Sequence, residues 1–310
     1  MSNHADIWAA PLLAAGILAV GAYTVAVIHL AVGGWLAQAR PGVGLLLQPA
    51  RSAAVLMAQP ATATERPDRA MAALSPALYA ALAAVAVTVV PWSRSFSIAD
   101  VETGIVLWGT AEALVIVAMF LHGWSSNSHQ PLLAAYRFVA AGVSYLLLSM
   151  FVLIAAAIPA ESLQLSRIVE SQAGLWNVVR QPLGLPLFVV VALGSATWGP
   201  LDLADGSDVS GGTAAEASGI PGLVWMWARA AMLAAFAAMS AAVFLGGWHG
   251  PVLPGPAWMA VKTVAMITVL SAAGHLLARV PAERFVTWAW VVLLPLGFAD
   301  LAIAGLGSLR

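Results

Sequence analysis

Residues 132–158 read LLAAYRFVAAGVSYLLLSMFVLIAAAI, a run that contains one charged residue, Arg137. A run of about 20 mainly apolar residues is what an α-helix needs to cross the hydrocarbon core of a bilayer. Similar segments occur at residues 7–36, 70–92, 105–121, 183–197, 223–245, 258–278 and 285–306. The sequence therefore predicts an all-α, polytopic membrane protein of about eight transmembrane helices, in a single domain of residues 1–310.

The composition supports this fold class and limits the chemistry. Hydrophobic residues make up 61% of the chain and charged residues 9%, against about 25% charged residues in soluble domains. The apolar runs are continuous and do not alternate in polarity, which excludes a transmembrane barrel. The net charge of −1 gives no indication of a nucleic-acid partner. Because the chain has no cysteine, it cannot hold a cysteine-ligated iron–sulfur cluster, and any redox centre must lie on another polypeptide.

The arginines predict the orientation in the membrane. The odd-numbered loops carry six arginines, namely Arg40, Arg51, Arg66, Arg69, Arg279 and Arg284. The opposite side carries four, namely Arg94, Arg167, Arg180 and Arg310. An excess of basic residues marks the cytoplasmic side. We expect loops 1, 3, 5 and 7 in the cytoplasm and the N-terminus outside.

Two of these loops are unusual. Residues 40–75 contain apolar residues at helical spacing around Gln48 and Arg51, which predicts either a helix on the membrane surface or the arm of a buried hairpin. Residues 198–222 contain four acids and no basic residue, namely Asp202, Asp205, Asp208 and Glu216. This second loop is either a solvated, Gly-rich connector or a surface that faces a partner.

Several ionisable residues lie within the apolar runs. Glu112, Arg137, Lys262 and Asp300 are interior, and His29, His122, Arg229 and His275 lie closer to the ends. A charge at the centre of a bilayer costs about 2.5–3.5 kcal/mol on insertion scales, so each should pair or line a polar cavity. One interpretation is a hydrated proton path through Glu112, Arg137 and Lys262. The alternative is structural ion pairs or interfacial snorkelling, above all for Arg229 and Asp300. The spacing of His122 and His129 does not favour a metal site, and we expect no metal.

A series of motifs carries a family resemblance. In order they are QARPGVG (38–44), GLLLQP (44–49), DR (68–69), LSP (74–76), GWSSNS (123–128), Arg137, Ser144-Tyr145, QPLG (181–184), PLDL (200–203), EASG (216–219), GGW (246–248), LPG (253–255), Lys262 and LPL (294–296). As a set they resemble the H-type membrane subunit of NADH–quinone oxidoreductase (respiratory complex I) and its relatives in membrane-bound hydrogenases and formate hydrogenlyase. The resemblance covers nearly the whole chain.

The resemblance implies a subunit without its own redox centre or catalytic residue. Such a subunit anchors a cluster-bearing arm, forms a quinone chamber with partner subunits and passes the effect of quinone chemistry to proton channels. Residues at the chamber or docking face would be Arg40, Gln48, Arg51, Asp68, Asp202, Asp205, Asp208 and Glu216. Residues of the buried proton path would be Glu112, Arg137, Tyr145 and Lys262. The expected location is the bacterial inner membrane, among other subunits of the assembly.

The chain also departs from the family pattern. Leu146 and Ser195 stand where the family has glutamates, Trp198 where it has an arginine, and Ser52 where it has an aspartate. Glu112 is a candidate to replace one of these carboxylates. The functions left open are the H-type subunit of a complex-I-like oxidoreductase, the anchor of a hydrogenase-type complex, a stand-alone transporter and a purely structural assembly subunit.

Overall fold

The computed structural model describes residues 3–4, 9–38, 42–62 and 64–308. Its first four helices are α1 (Ala10–Leu36), α2 (Gln48–Ala58), α3 (Arg69–Val89) and α4 (Gly104–Ser125). They are followed by α5 (His129–Ala157), α6 (Leu165–Glu170), α7 (Asn177–Arg180) and α8 (Gly184–Ser195). The last four are α9 (Gly219–Val243), α10 (Gly255–Leu276), α11 (Ala282–Trp288) and α12 (Leu294–Ser308). Two short strands, β1 (Asn3–His4) and β2 (Phe96–Ser97), pair in parallel.

The all-α, polytopic fold predicted from the sequence is confirmed. Seven helices in the described part of the chain are long and apolar enough to cross a membrane; the last of them joins α11 to α12 through a π-helical turn. The predicted eighth span, residues 183–197, is the 12-residue helix α8. At about 1.5 Å per residue, 12 residues reach about 18 Å, which is less than the ~30 Å of the hydrocarbon core. Pro182 separates α8 from α7 and prevents one longer helix.

Helix α9 lies at the centre of the bundle and packs against α1, α3 and α10. Every residue from Ala230 to Val243 is buried, and most of these residues are alanines. Small residues let transmembrane helices approach closely. Gly21 of α1 shows this, because a Cβ added there would lie 2.9 Å from the Cβ of Ala234. The alanine-rich sequence of α9 therefore explains its central position.

The first long connection contains the short helix α2, which has no buried residue. Tyr23 of α1 donates a hydrogen bond to the carbonyl oxygen of Leu46 just before it. The connection ends at Asp68, whose carboxylate caps α3 by accepting from the backbone N–H groups of Ala70 and Met71, both at 3.1 Å. Helix α2 itself lies beside α1 and α9. The location of α2 at a membrane surface and the orientation of the helices stay predictions.

Candidate functional site

The acidic loop between α8 and α9 folds back onto the helices. Three 3₁₀ turns, Gly199–Leu201, Ser207–Val209 and Gly212–Ala214, make it compact. Its apolar side chains Leu201, Leu203, Ala204 and Val209 are buried. The loop is therefore a packed part of the protein, and a solvated connector does not fit this packing.

Arg229 of α9 holds two of the four acids. Its side chain is 12% exposed and pairs with Asp205, which is 6% exposed, and with Asp202, which is 14% exposed and lies 3.5 Å away. It also donates to the carbonyl oxygen of Thr197. The structural ion pair considered for Arg229 is therefore present in the structure, with its guanidinium held between two carboxylates.

Asp202 and Asp205 have further partners. Arg279 donates to Asp202 at 3.2 Å, and Thr213 donates to Asp205. Burial raises the pKa of Asp202 to about 6, although the positive charges of Arg229 and Arg279 oppose this shift. We call Arg229, Asp202, Asp205 and Arg279 the arginine–aspartate cluster. Asp202 is thus a carboxyl that can change its charge near neutral pH.

The other two acids contact α5 and the turn before it. Asp208, which is 66% exposed, pairs with Arg137, which is 33% exposed. The hydroxyl of Ser128 donates to Glu216 at 3.2 Å. Ser128 also lines an open depression together with Asp68. Arg137 therefore lies beside the acidic loop, and Asp68 and Glu216 lie close to the same depression.

An apolar cavity of about 430 Å³ lies between α1, α2 and the start of α9. Tyr23, Ser52, Trp198 and Trp227 are among its lining residues, and Arg229 forms part of its wall. Because Arg229 also binds Asp202 and Asp205, one end of the cavity abuts the arginine–aspartate cluster. We call this space the apolar cavity.

A second, wider cavity of about 830 Å³ adjoins the first. Gln48 and Arg51 line it, together with His29 and His275. We call it the polar groove. The structure thus brings two of the predicted chamber residues to one groove, whereas Arg40 lies outside the described residues.

Glu112 is buried between α4 and α5. The hydroxyl of Ser149 donates to its Oε2 at 2.6 Å, and Oε1 has no partner among the described residues. Tyr145, Leu146 and Ser195 line the same small void as Glu112. Glu112 therefore shares this void with Leu146 and Ser195, two positions at which the family resemblance leads us to expect a glutamate.

Lys262 lies elsewhere, bound to the turn between α9 and α10. Its Nζ donates to the carbonyl oxygens of Gly247 at 2.8 Å and His249 at 2.7 Å, and stands 4.3 Å from the ring centre of Trp176. No hydrogen bond or ion pair joins Glu112, Arg137 and Lys262 in the described ranges. The three residues predicted to form one proton path therefore occupy three separate environments.

The residues that organise the site lie outside the sequence motifs. The sequence marks Arg229, His29 and His275 only as ionisable groups near helix ends, and Arg279 only as a charge that sets orientation. The available signal is an arginine inside an apolar run, which requires a buried partner or a polar cavity. The identity of that partner, Asp205, depends on how the loop folds.

Comparison with known proteins agrees with the motifs. The family model described as NADH dehydrogenase matches residues 9–305. The chain is 30% identical to the H subunit of NADH-quinone oxidoreductase from Geobacillus kaustophilus, over 83% of this chain and 79% of that protein. It is 33% identical to the H subunit numbered 1 of the same enzyme from Rhodopseudomonas palustris, over 74% and 71% of the two chains. It is 27% identical to the H subunit numbered 2 from Syntrophobacter fumaroxidans, over 86% and 83%.

Proposed function

The chain belongs to the NADH dehydrogenase family, as a divergent member of its H-type membrane subunits, and from this premise we propose that it is the membrane anchor and quinone-chamber subunit of a complex-I-like oxidoreductase. Other subunits of the assembly supply the electron-transfer centres, because a chain without cysteine cannot ligate an iron–sulfur cluster through thiolates. The proposed location is the inner membrane of a bacterium, with the acidic loop on the cytoplasmic side.

The contact between the apolar cavity and the arginine–aspartate cluster is the observation that carries this proposal. A quinone has a planar ring and an apolar tail, which suit a cavity lined mainly by alanine, leucine and aromatic side chains. Reduction of a quinone to a quinol takes up protons, and carboxyl groups of raised pKa near the ring can supply or sense them. Asp202, whose pKa burial raises to about 6, is connected to the cavity wall through its ion pair with Arg229.

The cluster also offers a way to transmit the chemical event. Asp205 and Asp202 both pair with Arg229, so loss of charge on one carboxyl removes its repulsion of the other and its competition for the shared guanidinium. Arg229 is bonded in turn to the carbonyl oxygen of Thr197, just after α8. Ser195, the last residue of α8, lines the void of Glu112. We propose that the quinone chemistry is coupled to Glu112 along the C-terminal end of α8.

Glu112 and Tyr145 form the inner end of the proposed proton path. A buried carboxylate with one free oxygen can exchange a proton with a water or a neighbouring hydroxyl. The carboxylate stands in the same void as Leu146 and Ser195, which supports the replacement of a missing family carboxylate by Glu112. Arg137 belongs to this scheme at the rim, through Asp208. The contacts of Lys262 support a structural role.

The remaining residues form the proposed docking face for the peripheral subunits. Gln48 and Arg51 line the polar groove, and Asp68 and Glu216 lie close to the depression beside Ser128. Asp208 is the most exposed of the three loop acids that form ion pairs. These groups present both signs of charge to a partner, which favours specific docking.

The test is to purify the affinity-tagged chain from bacterial membranes in mild detergent and identify what copurifies. We expect subunits that bind NADH and iron–sulfur clusters, and quinone reduction coupled to proton uptake after reconstitution. A copurifying nickel-site subunit would indicate the hydrogenase-type assembly instead. A monomer that moves a solute across liposome membranes would overturn the proposal.

A further inference from the structure

The apolar cavity and the polar groove meet at one turn of α1. His29 and Leu30 line both spaces. The apolar cavity lies on the side of Tyr23 and Trp227, and the polar groove lies on the side of Gln48 and Arg51. A molecule that extends from one space into the other therefore passes His29.

Three rings converge at this point. The imidazoles of His29 and His275 are stacked, with ring centres 4.3 Å apart and planes at 28°. The indole of Trp198 meets His29 edge-on, with ring centres 5.1 Å apart. The Nε2 of His275 donates to the backbone carbonyl oxygen of His29 at 3.1 Å. The position of the His29 ring is thus set from two sides.

Glycines make this convergence possible. A Cβ added to Gly33 would lie 3.0 Å from Cε1 of His275, so a larger residue at this position would require the His275 ring to shift. Gly199 has a φ of +62°, and a Cβ on it would lie 2.6 Å from the Cα of Gly274. The end of α10 therefore touches the turn that carries Trp198.

The ring nitrogens of His29 have no hydrogen-bond partner in the part of the chain that the structure describes, and Nδ1 is buried whereas Nε2 is not. A neutral imidazole carries its proton on one of the two nitrogens. An unpaired N–H group in a buried place is less favourable than an unpaired lone pair, which is why orphaned buried donors are rare. The proton therefore belongs on Nε2, which makes His29 a donor toward the cavities.

We propose that His29 donates a hydrogen bond from Nε2 to a carbonyl oxygen of the quinone ring where the apolar cavity and the polar groove meet. The assignment rests on the proposed quinone chamber and adds its ring-binding residue. A quinone fits the site because it combines a flat ring, which can lie among three aromatic side chains, with acceptor oxygens and an apolar tail. The acyl chains of a phospholipid would fill the apolar cavity without a ring at His29.

The test uses the intact purified complex with three variants of this chain. His29→Phe keeps a flat ring to stack on His275 but removes the donor, and His29→Gln restores an N–H group near the position of Nε2. His249→Gln is the matched control, because the ring of His249 bonds the carbonyl oxygen of Val169 in another part of the protein. Copurification of the partner subunits reports assembly of each variant.

Two readouts are compared, NADH-driven reduction of decylubiquinone and photolabelling by an azido-substituted short-chain ubiquinone. We expect His29→Phe to raise the KM for decylubiquinone about three- to tenfold, the effect of losing one neutral hydrogen bond, with kcat little changed. His29→Gln should recover most of this loss, and His249→Gln should match the wild type. Labelling of α1 should fall in His29→Phe and be displaced by decylubiquinone.

An active complex whose KM and labelling are unchanged in His29→Phe would overturn the role of His29 and leave the proposed quinone chamber standing. A phospholipid that stays bound in the apolar cavity and is not displaced by decylubiquinone would also overturn it. A wild-type complex that neither reduces quinone nor shows displaceable labelling anywhere on this chain would overturn the quinone chamber itself.

Discussion

Replacement of Arg229 by methionine tests the arginine–aspartate cluster directly. Methionine fills much of the space of the arginine side chain but leaves two buried carboxylates without their shared counter-charge. Removal of one partner from a buried ion pair costs about 3–5 kcal/mol. Arg279 still neutralises Asp202, at 3.2 Å, so we expect the lower part of this range. For a chain of this size that corresponds to a fall in Tm of about 5–10 °C.

The assay is thermal unfolding in mild detergent, followed by tryptophan fluorescence. Asp205→Asn, added to Arg229→Met, should restore part of the loss, because asparagine removes the orphaned charge and still accepts from Thr213. Arg167→Met is the control, since Arg167 and Glu170 form an exposed pair, with side chains 66% and 39% exposed, worth at most about 1 kcal/mol. Equal losses in Arg229→Met and Arg167→Met, or a further loss on adding Asp205→Asn, would refute the reasoning.

Three further predictions concern Asp202 of the cluster and two buried charged groups outside it, Glu112 and Lys262. Asp202→Asn should flatten the pH dependence of stability. Burial raises the pKa of this carboxyl from 3.8 to about 6, so it stabilises the fold fully below pH 3.8 and loses that contribution as the pH rises through about 6. The Tm of the wild type and of the variant should therefore be compared from pH 4 to pH 7. Glu112→Gln should abolish most quinone-linked proton uptake in proteoliposomes while quinone reduction and copurification persist; full proton uptake would contradict a role for this carboxylate. Lys262→Met should lower the free energy of unfolding by about 2–4 kcal/mol, because it removes a charged donor from two carbonyl groups. The ratio of protons taken up to electrons transferred should stay unchanged, and an altered ratio would show that Lys262 belongs to the proton path.

Some residues of the site can be anticipated from sequence and some cannot. The motifs that surround Gln48, Asp202 and Glu216 mark the loops that matter, because polar residues are rare in so apolar a chain. The partners of these acids cannot be anticipated. Arg137 and Asp208 are 71 positions apart, and no local pattern joins two residues at such a distance.

The same limit explains why the predicted proton path is divided in the structure. Glu112, Arg137 and Lys262 share the property of being charged groups in apolar runs. That property says that each needs a polar neighbour, but it does not say which neighbour. The structure supplies Ser149 to the first, Asp208 to the second and two backbone carbonyl oxygens to the third.

The amino-acid sequence by itself determined that this is a helical membrane protein, since a backbone in hydrocarbon must satisfy its hydrogen bonds within each segment. Its alanine-rich run also made α9 suited to a central place, because small side chains permit close packing. Only the tertiary structure decided where the charges meet. The turns between helices set which side chains face one another, and those turns brought Arg229 to Asp205 and His29 to His275.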